Sequence, residues 1–253
     1  MDTILCKSRK PDQVEFQRER NGKLGQTAPI QPAENDWLFW QLADSAFPMG
    51  GFAHSGGLEA AFQQGELGTA QDLRAFIEAS LCQFGHGSLP FMSSAHRSPE
   101  KFCALDGLCD NFISNHVANC ASRVQGQAML ASAERIFGSP ELQKLRRLCL
   151  ENSACCHLAP TFGVIMRRLS FGHEAASRLF VYIHLRGLLS AAVRLGVVGP
   201  LQGQMLQHGL SATAEEVAIR CHNLLVDDIS QTAPLLDLWQ GNQDRLYSRL
   251  FQS

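Results

Sequence analysis

Several things are scarce in this chain of 253 residues, and each scarcity removes a class of function. Lysine nearly vanishes beyond residue 23, where only Lys101 and Lys144 remain. With a formal net charge of −2 there is no basic stripe for a nucleic-acid backbone. No apolar run is free enough of charge to span a bilayer; the richest, around Leu179–Val198, carries His184, Arg186 and Arg194. An apolar leader is missing as well, so the chain is expected to be cytoplasmic. The nine cysteines are an odd number and form no C-x-x-C, which fits reduced thiols better than a disulfide framework. Alternating runs of valine, isoleucine and threonine are also lacking, which argues against strand-based folds.

What is there is helical. Residues 1–35 are polar, charged and proline-bearing, and read as a disordered or partner-ordered tail. Residues 36–253 read as a single all-α domain, a bundle of roughly ten helices. In "TAQDLRAFIEASLCQFG" a stripe of Leu73, Phe76, Ile77, Ser80, Leu81 and Phe84 recurs at helical spacing, with Thr69 as its cap. "TAEEVAIRCHNLL" offers a capping box at Thr213 and Glu216. The segment from Glu174 to Pro200 is apolar nearly all round, as a helix at the centre of a bundle must be.

Two stretches are unusual. "FPMGGFAHSGGLEAA", residues 47–61, packs four glycines around Phe52, His54 and Ser55. It lacks the lysine of a phosphate-binding loop. Ser55 in "AHSGG" fits a relaxed nucleophile elbow, which leaves a helical serine hydrolase open as an alternative, although the flanking segment reads as helix rather than strand. His54, together with the Cys155, Cys156 and His157 cluster, leaves a nickel- or zinc-binding metallochaperone open as another; one short stretch rarely closes a tetrahedral site alone. The second stretch is "DRLYSRLFQS", where Tyr247, Leu250 and Phe251 alternate with Arg245 and Arg249, residue types that dominate interface hot spots.

Five separated blocks together resemble one family, the urease accessory protein UreF. They are "LADSAFPMGGFAHSGGLEAA" (42–61), "NCASRVQGQAML" (119–130), "CHLAPTFGVI" (156–165), "AAVRLGVVGPLQGQ" (191–204) and "LYSRLFQS" (246–253). The resemblance implies an all-α homodimer with no catalysis and no directly bound cofactor or metal. It implies a scaffold that joins a UreD/UreH-type protein to the GTPase UreG, so that nickel reaches apo-urease at the expense of GTP handled by the partners. It places partner contacts at Phe52, His54, Ser55, Glu59, Tyr247, Arg249 and Phe251. Arg249 is expected to pin the C-terminal segment near the 50–57 loop, because a guanidinium fork can hold two segments at once.

Overall fold

The apolar stripes of the sequence become helices gathered around one of their number. The computed structural model describes residues 36–253; the tail expected over 1–35 lies outside them. In order, the helices are α1 (Asp36–Ala43), α2 (Leu58–Gln63), α3 (Ala70–Gly87), α4 (Leu89–Arg97), α5 (Phe102–Phe112), α6 (His116–Phe137), α7 (Pro140–Glu151), α8 (Leu158–Arg168), α9 (His173–Arg194), α10 (Pro200–Gly209), α11 (Ser211–Cys221) and α12 (Pro234–Gly241). The described residues contain no strand, so the fold is all-α. No helix among them is long and apolar enough to cross a membrane.

Local sequence explains most of these elements. Thr69 starts α3 with a reciprocal box: its hydroxyl accepts from the Asp72 amide, and the Asp72 carboxylate accepts from the Thr69 amide at 2.8 Å. The expected stripe of α3 faces inward from Leu73 to Leu81. Helix α9 is the centre, packing on α1, α2, α3, α4, α8, α10 and α11. It ends at Arg194, five residues before the expected Gly199, because Gly196 takes a left-handed turn (φ +74°). The capping box expected at Thr213 does not form. Helix α11 has already begun at Ser211, whose hydroxyl donates to the His208 carbonyl at 2.7 Å, and Glu216 instead pairs with Arg220.

One helix pair sets the tightness of the core. Helices α4 and α8 meet backbone to backbone at Gly163, where any Cβ would run into the Met92 carbonyl. On α9, His184 is half-buried, stacked on Phe84 at 4.1 Å between ring centres and paired with the Ser80 hydroxyl at 2.9 Å. Burial pushes its pKa down from 6.5 to about 4.

Two outcomes follow. Gly163→Ala should cost about 1–3 kcal/mol or more through overpacking, read from denaturant midpoints at constant slope. Acid should destabilise the fold before the carboxylates titrate. Above pH 6.5 neither folded nor unfolded His184 binds a proton; between pH 6.5 and about 4 the unfolded chain gains one that the folded chain refuses, so stability falls. His184→Gln should flatten that part of the stability–pH curve.

Candidate functional site

The two unusual stretches of sequence meet in space, and a buried acid joins them. The chain leaves α1 through Phe47 and Met49, both buried, and Ser132 on α6 donates to the Pro48 carbonyl at 2.8 Å. A short 3-10 turn over Gly51–Ala53 follows, and Gly57 (φ +90°) then opens α2. A side chain at Gly57 would be both strained and pressed against the Gln240 backbone, so glycine alone lets the loop lie against α12.

Glu59, in the first turn of α2, is 1% exposed. A carboxylate so placed must be surrounded by donors. Its Oε1 accepts from the Leu250 amide at 2.6 Å; its Oε2 accepts from the Phe251 amide at 3.0 Å and from Gln243 Nε2 at 2.7 Å. Gln243 also donates to the Phe251 carbonyl at 3.2 Å. The C-terminal segment is thereby laid along the loop. The Gln252 amide donates to the Ala53 carbonyl at 2.8 Å, the Ser55 amide donates to the Ser253 carbonyl, and His54 Nδ1 shares a hydrogen bond with the Ser253 hydroxyl.

Arg194, the last residue of α9, is the second clamp. Its guanidinium carbon lies 3.5 Å from the Phe52 ring centre and 4.2 Å from that of Phe251, and it donates to the Phe52 carbonyl. This corrects the expectation for Arg249. That residue reaches only Asp244, at 2.9 Å, whose other oxygen accepts from His116. Arg249 therefore shapes the surface, while Arg194 and Glu59 hold the segment. The physical reason is position: Arg194 ends the central helix beneath both segments, whereas Arg249 sits on the solvent side.

The seven sequence-derived residues thus divide. Phe52 is 70% exposed, Tyr247 fully exposed and Arg249 partly so. Ser55, Glu59 and Phe251 are buried, and His54 is half-buried. The side chain of Ser55 is turned inward and is not offered for the partner contact that the resemblance implies. Its hydroxyl caps α2, accepting from the Glu59 amide at 3.4 Å, and the neighbouring His54 is turned to Ser253 instead; no strand-to-helix elbow exists around it. His54 lines a cavity of about 870 Å³ between the loop, α3, α6, α9 and α12. Burial holds its pKa below the usual value, and its Nε2 has no hydrogen-bond partner among the described residues.

Sequence reasoning missed the roles of Arg194, Gln243 and two aspartates on α5. The first carried a signal, an arginine as the last residue of a largely apolar helix. The aspartates organise the Cys155–His157 stretch. Asp106, buried, accepts from the Cys156 amide at 2.9 Å and the His157 amide at 2.6 Å. Asp110 accepts from His157 Nε2 at 3.0 Å and from Asn119 at 2.9 Å, and these bonds, Asn119 first, hold its carboxyl below the usual range. His157 is completely buried, and Cys155 is half-exposed.

Comparison with known proteins bears out the family resemblance. A family model described as UreF matches residues 67–211. The urease accessory protein F of Arabidopsis thaliana is 39% identical over 221 residues, covering 86% of this chain and 92% of that protein. The protein of the same name from Oryza sativa subsp. indica is 38% identical over 219 residues, covering 85% and 84%. An uncharacterized urease accessory protein UreF-like from Schizosaccharomyces pombe is 29% identical over 225 residues, covering 84% and 94%.

Removing the acid should release the segment. In Glu59→Ala, hydrogen exchange at the Leu250 and Phe251 amides should accelerate at least tenfold, since hydrogen bonds to a charged group contribute about 1.5–3 kcal/mol each. Exchange within α9 should stay unchanged.

Proposed function

The chain belongs to the UreF family, and on that premise we propose that it is a non-catalytic scaffold for urease maturation, joining a UreD/UreH-type protein to the GTPase UreG. The single observation that carries the reading is the exposure of Phe52, Tyr247 and Arg249 on two segments that the fold joins. Two segments far apart in sequence each present an exposed aromatic ring, Phe52 on one and Tyr247 on the other, over a base fixed by Glu59 and Arg194. Aromatic and arginine side chains with their backbones already ordered lose little freedom on docking, which is how a few contacts carry most of an interface's energy.

In this reading the phosphate-binding lysine lies on the GTPase, and nickel is cargo handed to apo-urease through the assembly. The scaffold acts as a homodimer in the cytoplasm, without a cofactor of its own. Phe52 provides a ring without a hydroxyl, so recognition there is by stacking and apolar burial rather than by hydrogen bonding.

Co-purification tests this. The double variant Phe52→Ala, Tyr247→Ala should keep the UreD/UreH-type protein while binding UreG roughly 30-fold more weakly, the loss expected when about 2 kcal/mol of hot-spot energy is removed. Unchanged recovery of all three proteins would count against the reading.

A further inference from the structure

We propose that Asp110, Cys155 and His157 form a binding site for a borderline divalent cation of the zinc, cobalt and nickel group. The scaffolding role needs no metal in this chain, so the inference goes beyond it. The sequence shows a thiol and an imidazole two residues apart; the fold adds a third donor from α5. One carboxylate oxygen, one sulfur and one imidazole nitrogen lie within 4.8 Å of one another. Ligand atoms on a tetrahedral ion stand roughly 3.2–3.8 Å apart, given bonds of about 2.0–2.3 Å, so a modest rotation of the half-exposed Cys155 closes the set. A thiolate with an imidazole selects against magnesium and calcium, which take oxygen ligands.

The surroundings are those of a held ligand set rather than a chance cluster. Cys156 takes a left-handed conformation (φ +59°) between the two donors, and both the Cys156 and His157 amides are fixed by buried Asp106. Gly126 on α6 leaves room for the Cys156 carbonyl, which any Cβ there would strike. Gln127 donates to the Cys155 carbonyl at 3.1 Å. The His157 ring has Ser122 Oγ 3.1 Å from its Nδ1, the outer-shell partner that orients a metal-binding imidazole. On loading, the Cys155 thiol proton leaves to solvent and the imidazole proton moves from Nε2 to Nδ1, where Ser122 Oγ accepts it. Two carboxylates and a thiolate are then balanced by the divalent ion and by Arg123, whose charge acts on both Asp110 and Cys155. Three protein ligands leave a fourth position for water or for a donor from another protein.

Cobalt reports such a site directly. The full-length chain, reduced and stripped with chelator, is titrated with Co²⁺. A thiolate-to-cobalt charge-transfer band saturating at one equivalent, and bleached by Zn²⁺, is expected. Cys155→Ser should abolish the band while circular dichroism and melting stay as in the parent, because this sulfur makes no hydrogen bond among the described residues. Asp110→Asn should weaken Co²⁺ binding at least tenfold and keep the thiolate band at saturation. If Cys155→Ser does not fold, Asp110→Asn decides by the same affinity change. No band in the parent at stoichiometric Co²⁺, an undiminished band in Cys155→Ser, or unchanged affinity in Asp110→Asn overturns the proposal.

Discussion

A carboxylate buried at the start of a two-turn helix has to find donors, and Glu59 finds them at the far end of the described chain. Its two oxygens collect the amides of Leu250 and Phe251 and the side chain of Gln243. The glycine loop, α2, the turn after α12 and the C-terminal segment are therefore a single object. Each donor removed would leave part of a charge in a place that water does not reach, so the four pieces hold together or come apart together. Arg194 adds the orthogonal constraint, fixing the height of the Phe52 and Phe251 rings above α9.

The layout separates anchoring from display. Residues that hold the segment are buried or, like Arg194, half-buried; residues that can meet another protein lie outward of them. That division explains why the richest chemistry of the loop, a histidine, a serine and a glutamate within six residues, is spent internally. A similar economy governs the stretch before α8, where Asp106 binds backbone and so leaves the side chains of Cys155 and His157 to face Asp110.

The fold was legible wherever burial repeats locally. The stripe from Leu73 to Leu81 and the cap at Thr69 are encoded within one helix, and α9 announces its central place by being apolar nearly all round. Caps were less secure. Thr213 satisfies the local pattern, but α11 had already started at Ser211, next to fully buried Leu210, so tertiary packing overrode it. At the site, glycines and terminal aromatics marked the right segments, yet the assignment of the clamp to Arg249 rested on proximity in sequence. Arg194, more than fifty residues upstream, holds the rings because a helix end delivers it there. Asp110 was invisible for the same reason: nothing in the spacing of Cys155 and His157 points to a residue on α5.

The Glu59 anchor also has a temporal consequence. A contact between positions 59 and 250–251 spans 191–192 residues, and contacts of that separation are late in folding. On a ribosome, α2 emerges with its acid unsatisfied and hydrated while almost all the rest is still being made. The joined loop and C-terminal segment come into existence only when residues 250–253 arrive and seat. Seating of that segment thus reports that the core of the described residues is in place.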